Sequence, residues 1–192
     1  MNLPDKAALL RRALPARAKW ESMARPAAIE PVGPGEESVW DFPRPPAVED
    51  VAAPLRVALG GVTIAETARG KRVTETAGAP VYFFPPADTA VEFLRETGHV
   101  TVCEWKGAAI HYALVTGYGI AERAAFAYPD PFDDLGRGYD AIAGWFAFYP
   151  SRVSACYLGD EKIRPQPGGY YAGWVAANLR GPIKGAPGSE GW

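Results

Sequence analysis

The sequence predicts a mainly β protein, α+β at most: a compact antiparallel β domain with one short helix near residues 89–97 and irregular arms at both ends. Three observations carry this. The 192 residues include 21 Gly and 19 Pro, a proportion that favours many short elements and ordered turns over long helices. Short apolar segments recur between two-residue turn signals such as Gly60-Gly61 and Gly159-Asp160. Hydrophobic residues at 48% and charged residues at 22% are ordinary globular values, so wholesale disorder is excluded. The length suits one domain with extensions.

Residues 1–30 are expected to form a helical extension. Asp5 can cap a helix whose apolar face is Leu9, Leu10, Ala13 and Leu14, and Pro15 ends or kinks it. Arg11, Arg12, Arg17 and Lys19 make the segment basic. It reads as an arm packed on its own domain or on a second copy, with partner binding as the alternative. Residues 31–54 combine Pro-fixed backbone with Trp40 and Phe42, which suits an ordered strap rather than a linker.

The core domain is expected over residues 55–164. Arg56-Val-Ala-Leu59 and Val62-Thr-Ile-Ala65 flank the Gly60-Gly61 hairpin turn. Residues 71–76 and 80–84 read as strands. Thr89-Ala-Val-Glu92 has capping-box form, Val91 and Leu94 follow at helical spacing, and Gly98 stands where a C-cap belongs. A hairpin follows with Lys106-Gly107 as its turn. Further strands are expected at residues 124–128, 145–149 and 152–158, and a Gly/Pro/Trp-rich arm closes the chain over residues 165–192.

A net charge of -2 without a block of like charge points away from nucleic acid and from an anionic membrane surface. No apolar run reaches the ~20 residues of a membrane span, and the N-terminus lacks the apolar core of a signal peptide. The expected compartment is the cytoplasm, with Cys103 and Cys156 as thiols. Two cysteines and two histidines cannot supply a zinc-ribbon ligand set, so no metal is expected. The sequence identifies no cofactor.

The reactive chemistry concentrates in one stretch. Cys103, Glu104, Lys106 and His111 place a thiol, a carboxylate, an amine and an imidazole within one short hairpin. With a tight Lys106-Gly107 turn, Trp105 faces Ala108, Cys103 faces Ile110, and His111 lies diagonal to the thiol. Cys103 and Glu104 point to opposite faces. The plain reading is that Cys103 is a small buried hydrophobe and His111 a hydrogen-bonded strand residue. Lys106 beside Trp105 could instead neutralise a phosphate or carboxylate while the indole stacks on a ring. The pocket expected from this has Trp105, Lys106, His111, Glu75 and Tyr149 as ligand-binding residues, with Cys103 on the wall.

Three functions follow as alternatives. The first is a β domain that binds a small molecule near the Cys103–Lys106 hairpin. The second is an enzyme with Cys103 as nucleophile or redox centre and His111 as base. The third is an interaction module that assembles through its terminal arms, with a homo-oligomer as one form.

Several motifs carry a family resemblance: Glu75 followed by Tyr82-Phe-Phe-Pro-Pro, then Cys103-Glu-Trp-Lys-Gly-Ala, then Ala147-Phe-Tyr-Pro150. Glu37-Ser-Val-Trp-Asp-Phe-Pro-Arg-Pro-Pro, Pro167-Gly-Gly-Tyr-Tyr-Ala-Gly-Trp and Gly181-Pro-Ile-Lys-Gly extend them on both sides. Residues 36–192 thereby resemble the long form of a bacterial family, the domain of unknown function 427, also catalogued as nucleotidyltransferase-like. The resemblance implies a small β-rich domain akin to tent-shaped folds that often carry zinc. This chain lacks the paired cysteines of those sites. It also lacks a Gly-Ser followed by an Asp-x-Asp pair to hold magnesium for phosphoryl transfer, so neither the metal nor the transferase activity carries over.

Overall fold

A computed structural model describes residues 3–21, 23, 25–189 and 191–192. Residues 1, 2, 22 and 24 of the N-terminal extension and residue 190 of the C-terminal arm lie outside the described set. The chain is mainly β, with antiparallel sheets and a single α-helix among the described residues.

The strands are β1 (Glu37–Ser38), β2 (Ala47–Asp50), β3 (Leu55–Leu59), β4 (Val62–Thr67), β5 (Lys71–Thr74) and β6 (Val81–Phe84). There follow β7 (Leu94–Cys103), β8 (Gly107–Thr116), β9 (Gly119–Ala127), β10 (Phe146–Phe148) and β11 (Ala155–Leu158). Four two-residue strands complete the set: β12 (Glu161–Lys162), β13 (Arg164–Pro165), β14 (Trp174–Val175) and β15 (Leu179–Arg180). A seven-stranded sheet has the order β2-β5-β6-β10-β9-β8-β7, and a four-stranded sheet the order β12-β11-β3-β4.

Period-two alternation decides what each face of the large sheet carries. Tyr82, Phe84, Leu114 and Phe148 turn toward Leu55, Val57, Ile64 and Cys156 of the small sheet, and Trp174 of the C-terminal arm joins them. Their strand neighbours Phe83, Ala109, Phe126 and Tyr149 gather on the opposite face. The sheet is therefore sandwiched on one side and holds a second apolar cluster on the other.

The helix α1 (Lys6–Glu21) continues through Pro15. Asp5 caps it, accepting from the Ala8 amide at 2.9 Å. Leu9 and Ala13 pack on Ala108 and Phe132, on the face of β8 opposite Ala109. β1 pairs in parallel with β15, and the Trp40 indole donates to the Pro182 carbonyl at 2.8 Å. Strap and C-terminal arm are thus knitted to one another.

Two local expectations are corrected. No helix forms over 89–97. Single 3₁₀ turns at Pro86–Asp88 and Val91–Phe93 lead straight into β7. Thr89 donates its hydroxyl to the Pro85 carbonyl instead of capping a helix. Leu94, Arg95 and Glu96 pair with Leu114, Ala113 and Tyr112, and that long-range ladder overrides the local capping signal. Gly98, at φ +74°, lies inside β7 where the register shifts between Glu96 and Val100.

The second correction concerns the hairpin. Cys103 pairs with Gly107, so the loop is the three residues Glu104, Trp105 and Lys106 rather than a two-residue Lys106-Gly107 turn. Gly107 takes φ +91°, the left-handed position that closes three-residue hairpins. The expected opposition of Cys103 to Ile110 is replaced by Val100 to Ile110.

Candidate functional site

Above the second cluster lies a cavity of about 420 Å³. The large sheet supplies its floor, including Val73, Phe83 and Phe126, with Tyr128 just beyond β9, and the C-terminal arm closes over it with Gln166, Tyr171 and Lys184. Gln166 clasps the arm to the sheet: its side-chain oxygen accepts from the Ala79 amide and its nitrogen donates to the Lys184 carbonyl, both at 3.0 Å. Only glycine fits at Gly173, where a Cβ would stand 2.0 Å from that same Gln166 oxygen.

Glu75 and Lys184 form an ion pair at 3.1 Å with side chains 25% and 10% exposed. Burial pushes the Glu75 carboxyl up, but the ammonium groups of Lys184 and Lys106, with Arg44, outweigh it and hold it below its ordinary value. Lys106 is buried. Its ammonium lies 6.0 and 5.9 Å from the ring centres of Tyr128 and Tyr139, and it enters no carboxylate ion pair among the described residues. Burial works against its charge, yet Cys103 and Glu75, with Glu104, raise its pKa, so it stays an ammonium. Tyr128 is pushed well above 10 by burial, then by Cys103, and remains a phenol.

His111 is buried on the same cavity wall. Its Nε2 is hydrogen-bonded to Thr101 Oγ1 at 2.9 Å, and its Nδ1 is buried with no hydrogen-bond partner among the described residues. Burial first, then His99, Arg152 and Arg123, push its pKa down to about 4, so the imidazole is neutral at pH 7. Its ring lies 5.8 Å from that of Phe126 and 6.2 Å from that of Tyr149.

Of the residues singled out in the sequence, Glu75, Cys103, Lys106, His111 and Tyr149 all line this one cavity. Trp105 does not. It sits in the middle of the hairpin loop, fully buried, and the Arg17 guanidinium of α1 covers its ring at 5.5 Å. A ligand-stacking role for Trp105 is therefore withdrawn, because its ring is fully buried and does not line the cavity. The same guanidinium donates to the Glu104 carbonyl at 2.7 Å and to both carboxylate oxygens of Asp134. The helix thus pins the loop that presents Lys106.

Cys103 and His111 are not partners either, since Thr101 takes the imidazole. The strand pairing sets Cys103 opposite Gly107, well along β8 from His111. Cys156 is buried in the sandwich, and both cysteines are free thiols. No cluster of three or more His, Cys, Asp or Glu side chains suited to a metal ion occurs among the described residues. No helix among them is long and apolar enough to cross a membrane.

Sequence reasoning missed Lys184, Gln166, Thr101 and Arg17. Lys184 and Gln166 stand as isolated polar residues in Gly/Pro-rich chain, a usable signal, but nothing local ties either to Glu75.

Comparison with curated proteins finds no match. A family model does match, over residues 47–159, which include Glu75, the hairpin loop and every strand of the large sheet. By that match the chain belongs to the family described as a domain of unknown function, DUF427.

Proposed function

We propose that this protein binds a small molecule in the cavity between the seven-stranded sheet and the C-terminal arm. One observation carries the reading: the Lys106 ammonium without a carboxylate partner and the unpartnered His111 Nδ1 line the same cavity. Leaving the buried His111 Nδ1 unsatisfied costs roughly 1–3 kcal/mol, and a ligand that meets it recovers that cost on binding. The volume, about 420 Å³, falls in the range of small-ligand pockets. Lys106 supplies charge, His111 a neutral hydrogen-bonding edge, and Phe126 and Tyr149 apolar walls. The setting we propose is the bacterial cytoplasm.

The test is a thermal-shift screen of nucleotides, sugar phosphates, amino acids and organic acids against the wild type and Lys106→Met. A ligand at a hundred times its Kd adds ~2.7 kcal/mol. For a chain of this size that is a rise of roughly 5–10 °C. A hit that Lys106→Met abolishes supports the reading, and a blank screen overturns it.

A second reading, covalent chemistry at Cys103, has one observation behind it: the thiol lines the cavity next to the buried Lys106 ammonium. Its base is then not His111. Alkylation by iodoacetamide that is fast below neutrality and slowed by Lys106→Met is the expected signature, whereas an ordinary thiol profile ends this reading. Assembly through the arms has no comparable support, because α1 and the strap both pack within their own chain.

A further inference from the structure

We infer that the cavity takes a single-ring aromatic monocarboxylate whose ring bears a hydroxyl, with the carboxylate beside Lys106 and the ring against Phe126. This deepens the small-molecule reading and rests on it.

The charge follows from which groups water can screen. Four cationic side chains and two carboxylates line the cavity, but Arg123 is exposed, and Arg152 and Glu104 are half-exposed. Arg152 also donates to the carbonyls of Arg123 and Gly169, and its charge, like that of Arg123, acts on His111 rather than on Lys106. That leaves Glu75, Lys184 and Lys106 as the groups held away from water. Lys184 is neutralised by Glu75, so one positive charge remains on Lys106. His111 is neutral and adds none. A monoanion closes the balance at Lys106, whereas a phosphate dianion would leave one charge there uncompensated.

The hydrogen-bonding balance agrees. Glu75 is already engaged by Lys184, while the Lys106 ammonium has donors to spare beyond the one that reaches Cys103. The ligand's charged end must therefore be rich in acceptors. A carboxylate is, and a ligand amine is not.

The ring follows from the walls. Phe126 stands 5.4 Å from Tyr149, 5.7 Å from Tyr128 and 6.1 Å from Phe83, ring centre to ring centre. These rings make an aromatic wall, and the Tyr128 ring bridges from it to the Lys106 ammonium, 6.0 Å away. An aromatic ligand gains edge and face contacts there that an aliphatic acid cannot. His111 forms part of the same wall, and its free Nδ1 needs a neutral partner. A ring hydroxyl can donate or accept and so suits either tautomer of the imidazole.

The experiment is isothermal titration calorimetry of the full chain with three probes. They are 4-hydroxyphenylacetate, its neutral analogue 2-(4-hydroxyphenyl)ethanol, and phenyl phosphate at a pH where it is a dianion. The carboxylate is expected to bind at least about tenfold more tightly than the alcohol, a difference of ~1.4 kcal/mol. Lys106→Met should remove that advantage, and Lys106→Arg should keep part of it. Replacing a buried charge by an apolar side chain of like size does not in general unfold a protein, and the melting temperature of each variant checks this. Equal affinity for the alcohol, or tighter binding of the phosphate, overturns the monocarboxylate while leaving small-molecule binding intact. No heat from any probe at millimolar concentration overturns the ligand class, and the broad screen then decides the reading beneath it.

Discussion

Replacing Glu75 by Gln tests whether the cavity is electrostatically balanced as described. The substitution keeps size and one acceptor oxygen but strands two ammonium groups, Lys184 at 3.1 Å and Lys106 nearby. Removing one partner of a buried ion pair costs ~3–5 kcal/mol. Glu75 is 25% exposed, so water reaches the stranded Lys184 in part, and the low end, about 3 kcal/mol, is the expected loss. At ~2–4 °C per kcal/mol for this chain length, the melting temperature should fall by roughly 6–12 °C. Differential scanning calorimetry at pH 7 reads it. The double variant Glu75→Gln with Lys184→Met should recover most of the loss, because a neutral replacement of the whole pair strands only Lys106. The acid limb gives an independent reading. The Glu75 pKa is depressed below its ordinary 4.5, so its contribution is complete above that value and is lost as the pH falls through the folded-state value. The variant should lack that part of the acid loss. A drop below ~0.5 kcal/mol, with an unchanged acid limb, would refute the reasoning.

Arg17→Ala should destabilise by about 3 kcal/mol, since it removes a buried guanidinium and leaves the Glu104 carbonyl and Asp134 without it; urea denaturation checks this, and a change under ~0.5 kcal/mol contradicts the pinning role. The imidazole of His111 should titrate near pH 4 by NMR rather than at 6.5, and stability should decline as pH falls from 6.5 toward 4, because the unfolded chain takes up the proton first. A midpoint near 6.5 counts against its burial. Gly168→Ala should loosen the C-terminal arm, because Gly168 has φ +86° and a Cβ would lie 2.5 Å from the Gly185 carbonyl oxygen. Faster amide exchange around Gln166 and Lys184 is the expected sign, and wild-type protection there would contradict it.

The parts of the fold legible in the sequence were those with local chemistry. Gly60-Gly61 announces its hairpin because two left-handed residues in succession suit few other structures, and both take positive φ. The strands at 71–74, 81–84 and 146–148 show in their β-branched and aromatic content. The capping pattern at Thr89 failed for a physical reason: it competes with a ladder to β8 whose existence no window of ten residues reveals. The site was half legible. Reactive side chains crowded into one hairpin marked its neighbourhood, and the residue set Glu75, Cys103, Lys106, His111 and Tyr149 does share a cavity. What assigned Trp105 wrongly was the partner Arg17, 88 positions away, and what hid Lys184 was the 109 positions between it and Glu75.

The cavity is assembled from three separate stretches of chain, and this bears on how the protein can be cut. Residues 47–159 hold the floor, yet Trp20, Gln166, Tyr171 and Lys184 on its walls, and Arg17 behind its loop, come from outside that span. An expression fragment trimmed to the matched span would keep every strand of the large sheet and carry an open trough in place of a chamber. Glu75 would face solvent there with no counter-ion from the arm. Failure of such a fragment to bind anything would then report on where the scissors fell, and the intact chain is the unit on which recognition has to be judged.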